Sequence, residues 1–118
     1  MKESILQIKT KDFALRIVKL YKYLKDEKKE NVLSKQVLRS GTSIGANVAE
    51  AYFAQSKKDF VNKMAIALKE VAETDYWLEL LKASKELTEN QCNELIKENN
   101  ELLKMLQATI NTSKKDLK

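Results

Sequence analysis

Phe13, Ile17, Leu20, Tyr21 and Leu24 fall at i, i+4, i+7, i+8 and i+11, one face of a helix with 3.6 residues per turn. That spacing predicts a first helix over 11–27, followed by a stretch, 25–31, without an apolar residue that reads as fraying end and loop. Leu33, Val37, Ile44, Val48 and Ala51 mark the stripe of a second helix over 32–53. Ser56 then reads as an N-cap with Asp59 in the first turn. The third helix it opens, over 57–84, carries Phe60, Met64, Ala67, Leu68, Val71 and Leu78 on its main stripe. Thr88 and Gln91 have the spacing of a capping box, which starts a fourth helix over 88–111. There Cys92, Ile96, Asn99, Leu103, Leu106 and Ile110 step by 4 and 3 in alternation, a coiled-coil seam with Leu95 and Leu102 widening it. The tail, 112–118, reads as disordered. No segment alternates as a strand would. The chain therefore reads as one all-α domain over 1–118, an antiparallel up-down-up-down four-helix bundle.

Two features go beyond what one core needs. Ile66 and Trp77 lie well to one side of the third stripe, with Leu81 between, and a large exposed apolar patch is a liability. A second interface removes it, so a homo-oligomer is expected; the alternative is Trp77 half exposed at the bundle edge of a monomer. On the second helix, Gly41, Gly45 and Ala49 follow at i, i+4 and i+8. A mid-helix glycine costs about 1 kcal/mol against alanine, so a neighbour must need the room. An aromatic is the expected filler, with Tyr21, Tyr52 and Trp77 all open choices. The opposite flank is polar: Arg39, Ser43, Asn47 and Glu50. Arg39 and Glu50 are separated by about 16 Å of helix and cannot pair. Each needs a partner elsewhere, and Glu70 or Glu73 can answer Arg39. As buried or interface groups, Arg39 and Glu50 would fix register and oligomer geometry; Asn99 in the seam reads the same way.

Composition mostly excludes. The 118 residues hold no proline, two glycines, no histidine and one cysteine. Without histidine, the commonest general base and metal ligand is missing. A single cysteine makes no zinc cluster and no internal disulfide. Gly41 and Gly45 lack the Lys-Ser/Thr of a phosphate-binding loop. Glu70 with Glu73, or Glu73 with Asp75, lack the Glu-x-x-His partners of di-metal bundles. No enzyme, cofactor or metal is expected, and Cys92 reads as a core residue. No apolar run is long enough to span a membrane, the first residues lack a secretory signal, and a cytoplasmic location follows.

Charge is uneven. Residues 1–39 hold 11 Lys/Arg against 5 Asp/Glu, while 40–81 hold 4 against 6. In the first helix Arg16, Lys19, Lys22 and Lys25 come at every third residue with no acid among them. Lys9 and Lys11 lie just upstream, and Tyr23 is interleaved. Such a face suits a phosphate backbone, with Tyr23 able to stack on an unpaired base; the alternative is a solvated, lysine-rich face.

Arg39, Ser43-Ile44, Asn47-Val48-Ala49-Glu50, the aromatic Phe60 and the acidic Glu73 together form a signature. With it, the chain resembles the small bacterial four-helix-bundle proteins associated with intervening sequences of 23S rRNA genes, also called S23 ribosomal proteins. The likeness runs from about Phe13 to Ile110. Ala51 stands where many relatives have glycine, and the loop after the first helix lacks a proline often found there. The resemblance implies a left-handed bundle assembling into a ring, a homopentamer among relatives, and a tie to RNA. It also implies kinship with the accessory variability determinant of diversity-generating retroelements, a basic barrel that partners a reverse transcriptase. Two functions are therefore expected in competition. One is a non-catalytic binder of structured RNA or other nucleic acid through Lys11, Arg16, Lys19, Lys22, Tyr23 and Lys25. The other is an interaction scaffold that docks a protein such as a polymerase. In both, Arg39, Ser43, Asn47, Glu50, Glu73 and Trp77 serve structure or the oligomer interface.

Overall fold

The computed structural model describes residues 3–115. It holds four helices, α1 (Ile5–Asp26), α2 (Leu33–Ala51), α3 (Lys57–Ala83) and α4 (Glu89–Lys115), with no strand among the described residues. Pairings along the helices fix their directions. Thr10 and Ile17 of α1 lie against Gly45 and Gly41 of α2. Ser40 and Glu50 of α2 meet Thr74 and Lys63 of α3. Lys82 and Val71 of α3 meet Asn93 and Asn99 of α4. In each pair one number rises as the other falls, so successive helices are antiparallel. Arg16 of α1 reaches Glu98 of α4 and closes the bundle, which measures 49 × 23 × 22 Å. The α1–α4 seam is the sparsest of the four.

Local chemistry explains most helix ends. The Ser4 hydroxyl accepts from the Gln7 amide at 3.1 Å, and the Gln7 side chain accepts from the Ser4 amide at 2.8 Å. That capping box starts α1 six residues before the first aromatic-led repeat suggests, and puts Leu6 and Thr10 into the core. α2 has no side-chain cap from Val32; instead the Glu30 carboxylate accepts from the amides of Val32 at 3.1 Å and Ser34 at 2.8 Å. Ser56 accepts from Asp59 at 3.0 Å, and Thr88 and Gln91 form the expected reciprocal box. α3 stops in a Schellman turn: Glu86 donates to Leu81 and Lys85 to Lys82, both at 3.1 Å, with Lys85 left-handed at φ 63°. α4 continues to Lys115 and buries Ser113. Residues 112–115 are thus helical rather than a loose tail, and 116–118 lie outside the described residues.

The core follows the stripes with a shift. Phe13, Ile17, Leu24, Val37, Ile44, Val48, Met64, Val71, Leu78 and Leu106 are all sealed from solvent. Each such side chain is worth about 1.5–3 kcal/mol of burial. On α4 the buried line runs through Cys92, Leu95, Asn99, Leu102, Leu106 and Ile110, while Ile96 and Leu103 are only half-buried. Phe60, Leu68 and Tyr21 are also half-buried. Asn99 donates to the Val71 carbonyl at 2.9 Å. Thr74 donates to Ser40 at 2.9 Å, a buried polar tie between α2 and α3.

The glycines serve α1, not an aromatic. A Cβ on Gly41 would lie 2.8 Å from Ile17 Cγ1, and one on Gly45 would lie 3.3 Å from the Thr10 carbonyl oxygen. Neither Tyr21, Tyr52 nor Trp77 fills the strip. A branched aliphatic side chain and a backbone do, because two helices can approach this closely only where one lacks a Cβ.

Candidate nucleic-acid interface

The basic residues of α1 divide between two flanks. At about 100° per residue, Arg16, Lys19 and Tyr23 turn towards α4, where they share a groove with Gln91, Glu94, Leu95 and Glu98. One turn earlier, Lys9 and Asp12 line a second groove with Glu98 and Glu101. Glu94, Glu98 and Glu101 stand at i, i+4 and i+7 on α4, an acidic row opposite the basic edge. The Arg16 guanidinium is bound to Glu98 through two of its nitrogens. This edge is largely neutralised within the molecule, which weakens its pull on a phosphate.

The other flank is different. Lys11 rims a groove of about 340 Å³ between α1 and α2, with Thr10, Ala14, Thr42, Gly45, Ala46 and Ala49 among its lining. Lys22 points outward, and the Lys25 ammonium sits 5.9 Å over the Tyr21 ring. Lys35 adds an exposed cation on α2. From Gln7 to Lys25 the sole carboxylate is Asp12, which turns to α4; from Leu33 to Ala49 there is none. Glu50, the first acid of α2, is drawn to Lys63 of α3 at 3.4 Å. Glu3 lines the same groove as Lys11. Lys11, Lys22, Lys25 and Lys35 therefore stand exposed along a stretch of this face whose carboxylates, Glu3, Asp26, Glu27 and Glu30, lie at its two ends.

The polar stripe of α2 joins it to α3. Arg39 pairs with Glu73 and lies 3.9 Å from Glu70. Trp77 donates its indole N–H to Glu73 at 3.0 Å and packs partly against the core, with Tyr76 edge-on beside it at 5.1 Å. Arg39 and Glu50 are exposed rather than buried. Ser43 and Asn47 bond back to the carbonyls of Arg39 and Ser43 on their own helix, at 2.6 and 2.8 Å, so neither reaches a neighbour. Burial, and then Glu73, push the Glu70 carboxyl above its ordinary range, against the pull of Arg39. These contacts stitch two helices and position no reacting group.

Sequence reasoning missed three features of the surface. Lys35 and the acid-free run of α2 were legible in the sequence. Ile8 and Leu15 stand exposed on α1, and Phe53, in the turn after α2, is 87% exposed. Cys92 is buried, and burial raises its thiol pKa, as for a core residue. Among the described residues no group of His, Cys, Asp and Glu can hold a metal ion, and no helix is long and apolar enough to cross a membrane.

Comparison with known proteins bears on this architecture. The family model described as 23S rRNA-intervening sequence protein matches residues 2–108. A crystal structure of a protein with unknown function from the S23 ribosomal protein family, from Bacteroides thetaiotaomicron, is similar with a TM-score of 0.89. The two sequences are 52% identical, over 90% of this chain and 98% of that one. No curated protein matches.

Proposed function

The chain belongs to the 23S rRNA-intervening sequence protein family, and from that premise we propose that it is a non-catalytic, cytoplasmic nucleic-acid-binding protein that acts on structured RNA. The observation that carries this reading is the exposed row of Lys11, Lys22, Lys25 and Lys35 on α1 and α2, between stretches of both helices that hold no carboxylate but Asp12, which turns to α4. Affinity comes from lysine–phosphate contacts and counterion release, with little base readout. Arg16, Lys19 and Tyr23, turned to the acidic row of α4, contribute less. Self-association into a left-handed-bundle ring, five-fold as among relatives, repeats the face around the assembly. The exposed Tyr76 and Ile66 of α3 supply apolar surface for such contacts.

The test is fluorescence anisotropy against an RNA hairpin and a DNA duplex over a salt series. Binding should weaken by roughly 0.7–0.9 log units per log unit of salt for each phosphate contacted. Charge reversal of Lys11, Lys22 and Lys25 should abolish it while helicity is kept. No binding at low salt would overturn the reading. Light scattering of the parent and of Tyr76→Glu tests the assembly.

A second reading, a scaffold that docks another protein, draws on the exposed Ile8 and Leu15 of α1. It predicts that Ile8→Lys with Leu15→Lys loses a protein partner while charge reversal changes nothing.

A further inference from the structure

We propose that the outward side of α1 is a docking surface for an anionic phospholipid bilayer, with Ile8 and Leu15 seated at the acyl-chain boundary and the lysines around them on lipid phosphates. This goes beyond the nucleic-acid reading above: a phosphate backbone accounts for the lysines but leaves the two aliphatic side chains in water.

Ile8, Leu15 and Lys22 step by seven along α1, so at about 100° per residue they stand nearly in line. Lys11 and Lys19 lie four residues either side of Leu15, about 40° off that line on opposite flanks. All five are exposed, Ile8 at 46% and Leu15 at 56%. The line faces away from the bundle, opposite the buried Phe13, Ile17, Leu20 and Leu24. It runs about 21 Å, at 1.5 Å per residue. Carboxylates stand at its margins: Asp12 on the α4 side, Glu3 in the groove beside Lys11, and Asp26 at the end of α1.

An aliphatic ridge interleaved with cations selects its partner by two properties at once. The partner must offer negative charge to Lys11, Lys19 and Lys22, and it must take Ile8 and Leu15 out of water. A bilayer with anionic headgroups does both within about 5–10 Å of depth, where an interfacial helix buries its apolar face. The ridge is the convex outer side of a helix, so it fits a surface that yields around it, as headgroups do. Lysine stems can lie along the ridge while their ammonium groups reach back to phosphate. No membrane span is needed, and among the described residues no helix is long and apolar enough to provide one. With two aliphatic side chains inserted, attachment is reversible and depends on the lysines as well.

The experiment is cosedimentation with vesicles of phosphatidylglycerol and phosphatidylcholine, and of phosphatidylcholine alone. It uses the parent protein, Ile8→Gln with Leu15→Gln, and Lys11→Glu with Lys22→Glu. Glutamine is a good helix former and both aliphatic positions are exposed, so the glutamine variant should keep its helicity and melting temperature. The parent should bind the anionic vesicles and not the neutral ones. The glutamine variant should bind them roughly tenfold more weakly, yet bind an RNA hairpin in fluorescence anisotropy as the parent does. Each lysine near an anionic surface is worth roughly fivefold in binding, so the charge-reversed variant should lose the vesicles as well as the RNA. Failure of the parent to bind anionic vesicles at low salt overturns the proposal, while the hairpin alone decides the nucleic-acid reading. Equal vesicle binding by the glutamine variant and the parent also overturns it, because the lysines then adhere to any anionic surface. So does a smaller mass of the glutamine variant in light scattering, which assigns the ridge to a second copy of the chain. Binding of an acidic amphipathic peptide in place of vesicles, lost in the glutamine variant, assigns the ridge to a protein helix and overturns it too.

Discussion

Arg16 on α1 is bound to Glu98 on α4, with Nε 2.6 Å from the carboxylate, and this contact turns a basic residue of the first helix inward along the seam. The pair is partly exposed on both sides, so it adds no more than about 1 kcal/mol to stability. Its larger effect is on the field. Glu98→Gln should leave the unfolding midpoint nearly unchanged and strengthen RNA binding a few-fold, because Arg16 is then free to meet a phosphate. Anisotropy and urea unfolding on the same variant check both halves.

Gly41 should not tolerate a methyl group. The atoms it would meet are Cγ1 and Cγ2 of Ile17, with Cβ at 3.3 Å, and a β-branched side chain has little freedom to turn away. Alanine improves helix propensity by about 1 kcal/mol, yet overpacking costs about 1–3 kcal/mol. Gly41→Ala should therefore be neutral to destabilising by about 2 kcal/mol in urea unfolding, and Ile17→Ala beside it should recover part of the loss. Gly45→Ala, at 3.3 Å from a carbonyl oxygen, should cost less.

Glu70 should make stability fall as pH rises. Its carboxyl is raised above 4.5 chiefly by burial and then by Glu73, so the folded state holds the proton more tightly than the unfolded state. Stability from this group is present below 4.5 and is lost as pH rises through the raised value. Glu70→Gln should melt higher than the parent at neutral pH. The advantage should shrink as pH drops towards 4.5, where the parent's carboxyl is protonated as well. Melting curves across pH decide it, and a gap independent of pH would contradict the assignment.

Lys85 occupies the left-handed position that ends α3, at φ 63°. A side chain there costs about 1 kcal/mol or more relative to glycine. Lys85→Gly should raise stability by roughly 0.5–1 kcal/mol, net of the freedom glycine gains in the unfolded chain. Chemical denaturation at constant slope is the measurement.

Much of this fold was legible in the sequence because periodicity and capping are local. Ser56 with Asp59, and Thr88 with Gln91, cap the helices their spacing implies. Arg39 finds Glu73 as its partner. The misreadings have physical causes. Ser4 and Gln7 form the same capping box as Thr88 and Gln91, yet the lysines of 9–11 obscured the repeat linking Leu6 to Phe13. The neighbour of Gly41 could not be read because it depends on how two helices slide past one another, which no single stripe encodes. The same holds for the surface. The basic run on α1 is plain, but which lysines keep their field depends on the acids of α4, more than 70 residues away in sequence. Phe53 escaped notice because nothing local tells an exposed aromatic from a buried one.

Each helix packs chiefly on its immediate neighbours in the chain, and the α1–α4 closure is the lightest of the contacts. Almost every pairing is therefore made across a short loop, and little of the architecture waits for distant segments to find each other. Chains of this low contact order fold in about microseconds to milliseconds. On a ribosome, α1 and α2 can pair as soon as both have emerged, with α3 and then α4 laid on in order of synthesis. Of the growing chain's apolar surface, it is the flank of α1 that meets α4 which waits for the far terminus.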